Sequence, residues 1–220
     1  MSIRQDTLRT LVFQFLMLAA GMVTNIVVAR TLGPEGKGLL SFLRYALFVT
    51  INLGGLGLHA AAIQHIGKRR FPPPTIAATQ IVLALALGAI CAAAMALILP
   101  LYRDKMELQP AVWLSFLPVL VVSLVHLNLS GVLVGLGRIR DDNVIRLLSP
   151  LAWMTGAVVV LALLRGDKTA GALTWIAAQS VSAVAAILWI WIVARPRFVR
   201  LAGCARASLR FGFEVYLANL

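Results

Sequence analysis

Two arginines carry the clearest chemistry in this sequence. Arg30 closes one long apolar segment, and Arg44 lies inside the next one. A guanidinium group offers paired N–H donors that match the oxygens of phosphates and carboxylates. A cation inside hydrocarbon costs roughly 2.5 kcal/mol or more, so an arginine in such a place is expected to face water or a bound anion. The two residues therefore indicate an anion-binding site within a membrane.

Six apolar segments must position these arginines. The chain of 220 residues is 60% hydrophobic and only 13% charged, which is typical of a membrane protein. At about 1.5 Å per residue, each segment can cross a hydrocarbon core of roughly 30 Å. We predict an all-α, polytopic membrane helix bundle with the start of a seventh helix near Ser208. The six predicted spans are residues 11–29, 39–64, 75–99, 111–136, 144–164 and 172–194.

The positions of the basic residues predict the orientation. The formal net charge of +12 would suggest nucleic acid in a soluble protein, but these charges lie mostly between apolar spans. The N-terminus, the loop at 68–70, the loop at 138–146 and the segment 195–210 hold most of the arginines and lysines. Basic loops face the cytoplasm, so we expect a cytoplasmic N-terminus and no nucleic-acid partner.

Polar side chains recur on one face of several spans. The candidates for lining a cavity are Gln14, Asn25, Asn52, His59 and His126. Polar groups in spans also serve as contacts between helices, and lone histidines often act only as hydrogen-bond donors. Arg44 differs because no acidic residue lies within the six predicted spans to neutralise it. It either extends to the outer interface or faces an anion-binding cavity.

Glycines mark two places where the chain can bend. The connection at 29–38 contains Gly33, Pro34 and Gly36 between two spans. A second cluster, within the predicted second span, consists of Gly54, Gly55 and Gly57. Glycine adopts backbone conformations that other residues avoid, and proline breaks helices. We predict that these residues form hinges.

The sequence carries no pattern typical of an enzyme, a metal site or a cofactor site. Asp141 and Asp142 resemble a metal-binding pair, yet no other acid stands near them in the sequence. We interpret them either as polar residues of a loop or as the N-cap of the fifth helix. The outer loops are also too short to hold the catalytic groups of a membrane-bound polymerase or acyltransferase. We therefore expect a protein that is not an enzyme and needs neither metal nor cofactor.

Three regions are predicted along the chain. Residues 1–194 form a six-helix bundle, 195–207 a basic cytoplasmic linker, and 208–220 the start of the seventh helix. The linker is expected to be an amphipathic helix at the membrane surface, because apolar residues recur at helical spacing in it and just beyond its end. Those residues are Phe198, Leu201, Ala205 and Leu209.

The pattern resembles a known group of transporters. The Ala-Arg-Thr-Leu-Gly-Pro-Glu-Gly-Lys-Gly connection at 29–38 and the Leu-Gly-Gly-Leu-Gly-Leu run at 53–58 are similar to those of Wzx-like polysaccharide flippases. These belong to the multidrug/oligosaccharidyl-lipid/polysaccharide (MOP) superfamily. The resemblance implies a flippase that moves undecaprenyl-pyrophosphate-linked oligosaccharide across the bacterial cytoplasmic membrane by alternating access. It also implies that Arg30 and Arg44 bind the pyrophosphate.

The resemblance leaves partners and alternatives open. Such flippases have two bundles, so a C-terminal bundle or a second subunit is expected, together with a polysaccharide polymerase and glycosyltransferases in the same pathway. One alternative is a cation-coupled multidrug exporter of the same superfamily. Another is a half-bundle that acts as a scaffold without transport.

Overall fold

The computed structural model describes residues 3–106, 109–199 and 201–218, and within these ranges every regular element is a helix. The all-α prediction is thereby confirmed. A π-helical stretch, Ala157–Leu163, continues the fifth helix. The α-helices are α1 (Ile3–Gly55), α2 (Leu58–Gly67), α3 (Pro73–Met106), α4 (Pro110–Gly135), α5 (Ile139–Gly156), α6 (Lys168–Val193) and α7 (Leu201–Ala218).

Helix α1 consists of two arms that meet at Gly33. The backbone there has φ 64° and ψ −166°, a left-handed conformation that favours glycine, and Pro34 begins the second arm. Among the described residues, five helical stretches are long and apolar enough to cross a membrane, and the first has 49 residues. At about 1.5 Å per residue that stretch measures about twice the thickness of a hydrocarbon core. It therefore supplies two crossings, and the bundle has the six that were predicted.

The predicted second span, 39–64, is not continuous. Helix α1 ends at Gly55 and α2 begins at Leu58, with Leu56 at φ 42° and Gly57 at φ 67°. The backbone of α7 packs against this break. A Cβ atom on Gly212 would lie 2.5 Å from the carbonyl oxygen of Leu56. The break is thus linked to a contact with the end of the chain, which hydropathy along the span does not reveal.

The seventh helix begins earlier than predicted. Residues 201–218 form one helix, so the boundary that we placed between 207 and 208 falls inside it. Phe198 lies before this helix and contacts the indole of Trp191 instead, with ring centroids 6.3 Å apart. Helix α7 packs against α2 and α3. The wider division into bundle, linker and seventh helix stays a prediction.

Helix α4 lies at the centre of the bundle. Its apolar stretch is 61% buried, whereas that of α1 is 17% buried. One core cluster contains Leu43, Phe116 and Trp175. The rings of Phe116 and Trp175 stack, with centroids 6.4 Å apart. A second cluster contains Leu129 and Ile190. The apolar side chains on the outer faces remain exposed, as expected of helices that face lipid.

Candidate functional site

Arg44 lines a cavity of about 430 Å³, which we call the Arg44 cavity. Its walls come from both arms of α1, from α5 and from α6. The polar residues among them are Thr24, Ser149 and Gln179, and Trp153 and Trp175 supply aromatic surface. Arg44 thus faces a cavity between helices, and that this cavity binds an anion stays a prediction.

The guanidinium of Arg44 has two neighbours that hold it in place. Nη1 donates to Oδ1 of Asn25 at 3.4 Å, and Cζ lies 5.8 Å from the centroid of the Trp153 ring. Within the described part of the chain, no carboxylate pairs with Arg44. A guanidinium held by one amide and one aromatic face retains N–H donors for an anion.

A second cavity, of about 290 Å³, adjoins the first. We call it the histidine cavity, because His59 and His126 both line it. The other polar residues in its walls are Ser123, Ser130, Arg146 and Gln179. Ile51 and Gln179 line both cavities, so the two lie side by side, and we call them together the polar tract.

The two histidines are held differently. Nδ1 of His59 lies 3.0 Å from the carbonyl oxygen of Leu127, and it must donate because a carbonyl only accepts. Its Nε2 is then the nitrogen that can gain a proton. His126 lies 3.4 Å from the hydroxyl of Ser182, and its Nε2 is buried without a partner among the described residues.

The other residues predicted to line a cavity or bind the anion are Arg30, Gln14, Asn25 and Asn52, and they do not all lie in these two cavities. Arg30 and Gln14 are exposed, and Arg30 lines neither the Arg44 cavity nor the histidine cavity. The structure therefore does not place Arg30 in the cavity that we describe around Arg44. Asn25 is exposed but accepts the bond from Arg44. Asn52 donates to the carbonyl oxygen of Phe48 and lines a third cavity, of about 350 Å³, beside the break at Gly57.

The predicted hinge glycines fall into two groups. Gly33 and Gly57 have positive φ angles; Gly33 joins the two arms of α1, and Gly57 precedes α2 as its N-cap. Gly36, Gly54 and Gly55 lie within helix α1, as does Pro34. A Cβ on Gly54 would lie 2.7 Å from Sγ of Cys91, so this glycine permits close packing of α1 against α3.

The sequence interpretation of Asp142 was wrong. Helix α5 begins at Ile139 with Arg138 as its N-cap, so Asp142 lies in the first turn of the helix. Its side chain is buried, and Oδ2 lies 3.8 Å from Nη1 of Arg146. The neighbouring Asp141 is paired differently, with Arg138 at 3.0 Å and with the indole N–H of Trp189 at 2.9 Å.

Sequence reasoning missed several residues of the polar tract. Trp153, Gln179 and Arg146 were not candidates, and Arg146 was counted only as a cytoplasmic charge. The spacing of Asp142 and Arg146, four residues apart, could have indicated that they share one helical face. No comparable pattern marks Trp153 or Gln179, because their roles depend on how α5 and α6 pack.

Comparisons with known proteins identify the family. The family model described as "Polysaccharide biosynthesis protein" matches residues 3–220. No curated protein matches the chain. Among solved structures, a MOP superfamily transporter from Pyrococcus furiosus is similar, with a TM-score of 0.74 and 16% identity over 96% of this chain and 50% of that one.

Two further structures show the same fold. An outward-facing multidrug resistance transporter of the MATE family has a TM-score of 0.74 and 16% identity over 97% of this chain and 52% of its own. A MATE transporter in a bent conformation has a TM-score of 0.70 and 16% identity, over 99% of this chain and 52% of its own. The chain spans about half the length of these transporters. It therefore belongs to the polysaccharide biosynthesis protein family, and its helices have the fold found over about half of a MOP superfamily transporter.

Proposed function

We propose that this chain is the N-terminal bundle of a flippase for undecaprenyl-pyrophosphate-linked oligosaccharide. The flippase would act in the bacterial cytoplasmic membrane and move its substrate from the inner to the outer leaflet. The observation that carries the proposal is Arg44, a cation in a cavity between helices and without a carboxylate partner in the described residues. A pyrophosphate supplies the missing negative charge.

The chemistry of Arg44 suits this ligand. Its guanidinium can form two parallel hydrogen bonds to phosphate oxygens, and Asn25 and Trp153 limit its rotation. Ser149 and Gln179 provide further polar groups in the same wall. The adjoining histidine cavity continues the polar surface, which suits hydroxylated sugar units. Transport would then proceed by alternating access, with a second bundle closing the cavity.

A cation-coupled multidrug exporter remains a second candidate. It is favoured by one observation, the buried Asp142 in α5, since the sequence had indicated no acid inside a helix of the bundle. Such an exporter would bind cationic or neutral drugs. Arg44 and Arg146 in the walls of the polar tract disfavour a cationic substrate, because like charges repel there.

Binding of a pyrophosphate lipid tests the proposal. The full-length protein that contains this chain would be placed in nanodiscs and titrated with undecaprenyl pyrophosphate. We expect Arg44→Gln to weaken binding by about tenfold or more, because a hydrogen bond to a charged group contributes about 1.5–3 kcal/mol. Lys37→Gln is the matched control, since Lys37 is exposed and lines neither cavity.

Two further variants sharpen the result. Arg44→Lys keeps the charge but loses the paired donors, so we expect it to fall between wild type and Arg44→Gln. Arg30→Gln tests separately whether the exposed Arg30 contributes to binding of the lipid. Equal affinity of wild type and Arg44→Gln for the lipid would contradict the proposal, and tight binding of a cationic drug instead would favour the exporter.

A further inference from the structure

A further cavity lies between α5 and α6, and we call it the α5–α6 groove. Its volume is about 350 Å³, within the range of about 300–1,000 Å³ that is typical of small-molecule sites. The polar residues of its wall stand at the end where α5 begins and α6 ends, and they are Arg140, Asp141 and Trp189. The rest of the wall is apolar and consists of Val144, Ile145, Leu148 and Ala185.

The groove changes from polar to apolar along the helices, as a phospholipid does along its length. Arg140, Val144 and Leu148 are spaced four residues apart, so they form one row along α5. At about 1.5 Å per residue, this row extends about 12 Å from the start of the helix toward the middle of the membrane. A phosphate group at Arg140 would therefore have its acyl chain beside Val144 and Leu148.

The α5–α6 groove opens away from the Arg44 cavity. At 3.6 residues per turn, the row at 140, 144 and 148 lies about 150° around α5 from Pro150 and Trp153, which line that cavity. Val144 and Trp189 at the edge of the groove are 42% and 37% exposed, whereas Ile145 belongs to the second core cluster. The groove thus has a fixed floor and an open side, and an apolar surface on the outside of a membrane bundle faces acyl chains.

The side chain of Arg140 can bind an anion at the polar end of the groove. It is exposed, and it forms no ion pair or hydrogen bond among the described residues. Asp141 in the same wall does not neutralise it, because Oδ2 of Asp141 accepts from Arg138 at 3.0 Å and from the indole N–H of Trp189 at 2.9 Å. The second of these bonds also holds the indole at the edge of the groove, a position that tryptophan favours at membrane interfaces.

We propose that the α5–α6 groove binds one anionic phospholipid, with its phosphate on Arg140 and an acyl chain between the two helices. Basic pockets between membrane helices attract the head groups of anionic lipids, above all on the cytoplasmic side, where we predict this end of the groove to lie. A zwitterionic lipid gains less, since its own cation is repelled by Arg140. The bound lipid stabilises the packing of α5 on α6, and these helices also form two walls of the Arg44 cavity.

Quenching of Trp189 fluorescence by brominated lipids tests the site in the full-length protein in nanodiscs. Each protein is measured with and without Trp189→Phe, and the difference is the contribution of Trp189. We expect brominated phosphatidylglycerol to bind about fivefold more tightly than brominated phosphatidylcholine, the preference expected of one arginine near the membrane surface. Arg140→Gln should reduce this ratio to about one. Arg206→Gln, the matched control, should keep it, because Arg206 is exposed on α7, which packs against α2 and α3.

A second variant tests the acyl chain separately from the phosphate. Val144→Gln places a polar amide in the groove, so quenching by both lipids should decrease. The same ratio in wild type and Arg140→Gln would overturn the proposal, and so would an absence of quenching at Trp189, which would mean that protein covers the groove. Release of the quenching by undecaprenyl pyrophosphate but not by unlabelled phosphatidylglycerol would also overturn it, since the groove would then bind a polyprenyl chain.

Discussion

Arg44 and Trp153 form a cation–π pair that joins the second arm of α1 to α5. The guanidinium carbon lies 5.8 Å from the centroid of the indole ring, and Trp153 is buried. The indole therefore attracts the cation without consuming its N–H donors. An acidic partner would bind those donors and compete with an anionic ligand. The pair positions Arg44 in the cavity while leaving N–H donors available for the anion that we propose as its ligand.

Replacement of Trp153 should weaken binding of the pyrophosphate lipid. We expect Trp153→Leu to lower the affinity about 2- to 30-fold, since a cation–π pair contributes about 0.5–2 kcal/mol. Trp153→Phe keeps an aromatic face and should lose less. Trp191→Leu is the control, because Trp191 is exposed near the end of α6. If Trp153→Leu and Trp191→Leu bind undecaprenyl pyrophosphate alike, the indole does not position Arg44.

The sequence predicted the parts of this site that depend on local signals. The turn at Gly33 and the six crossings follow from hydropathy and from glycine and proline, which act over a few residues. Arg44 was identified because a cation in an apolar segment is costly wherever the neighbours lie. The placement of Arg30 outside the two cavities did not follow, since it depends on the angle at which the two arms of α1 meet.

Long-range packing explains the remaining differences. The break at Leu56 and Gly57 requires the approach of Gly212, more than a hundred residues later in the chain. Asp142 was assigned to a loop because apolar residues alone defined the fifth span, which was predicted to begin at residue 144, yet helix α5 begins five residues before that position, at Ile139. Charged residues such as Asp142 and Arg146 at the end of a span lower its hydropathy, so a hydropathy window excludes them from the predicted span.

Gly57 and Gly212 should tolerate no side chain. The added Cβ of Gly212→Ala would meet the carbonyl oxygen of Leu56 at 2.5 Å, and backbone atoms cannot move aside as a flexible side chain can. We expect a loss of about 1–3 kcal/mol in unfolding free energy from such overpacking. Thermal unfolding of the detergent-solubilised protein measures it as a lower Tm.

Gly203→Ala provides the matched control on the same helix. Nothing lies within 4 Å of a Cβ at Gly203, so the substitution should raise the stability of α7 by about 0.5–1 kcal/mol through its helix propensity. A Tm for Gly212→Ala equal to or above that of Gly203→Ala would show that α7 does not contact the break in this way.

Docking of α7 should also depend on pH through His65. This residue lies just beyond the predicted second span and is 2% exposed. Its ring contacts Phe71 edge-on, with centroids 5.6 Å apart, and Phe211 of α7 at 6.2 Å. Burial and the charges of Arg70 and Lys68 lower the pKa of His65, against a smaller opposing effect from its hydrogen bond to the backbone of Ala207.

The direction of the pH effect follows from this lowered pKa. Below the unfolded value of about 6.5, the unfolded or undocked state binds the proton more readily than the folded one. The stability of the docked α7 is therefore complete at neutral pH and decreases as the pH falls through and below about 6.5. The protection factors of the α7 amides, which are corrected for the intrinsic pH dependence of exchange, should decrease over that window in wild type, and His65→Phe should remove this decrease. Equal pH dependence in both proteins would mean that another group controls the docking of α7.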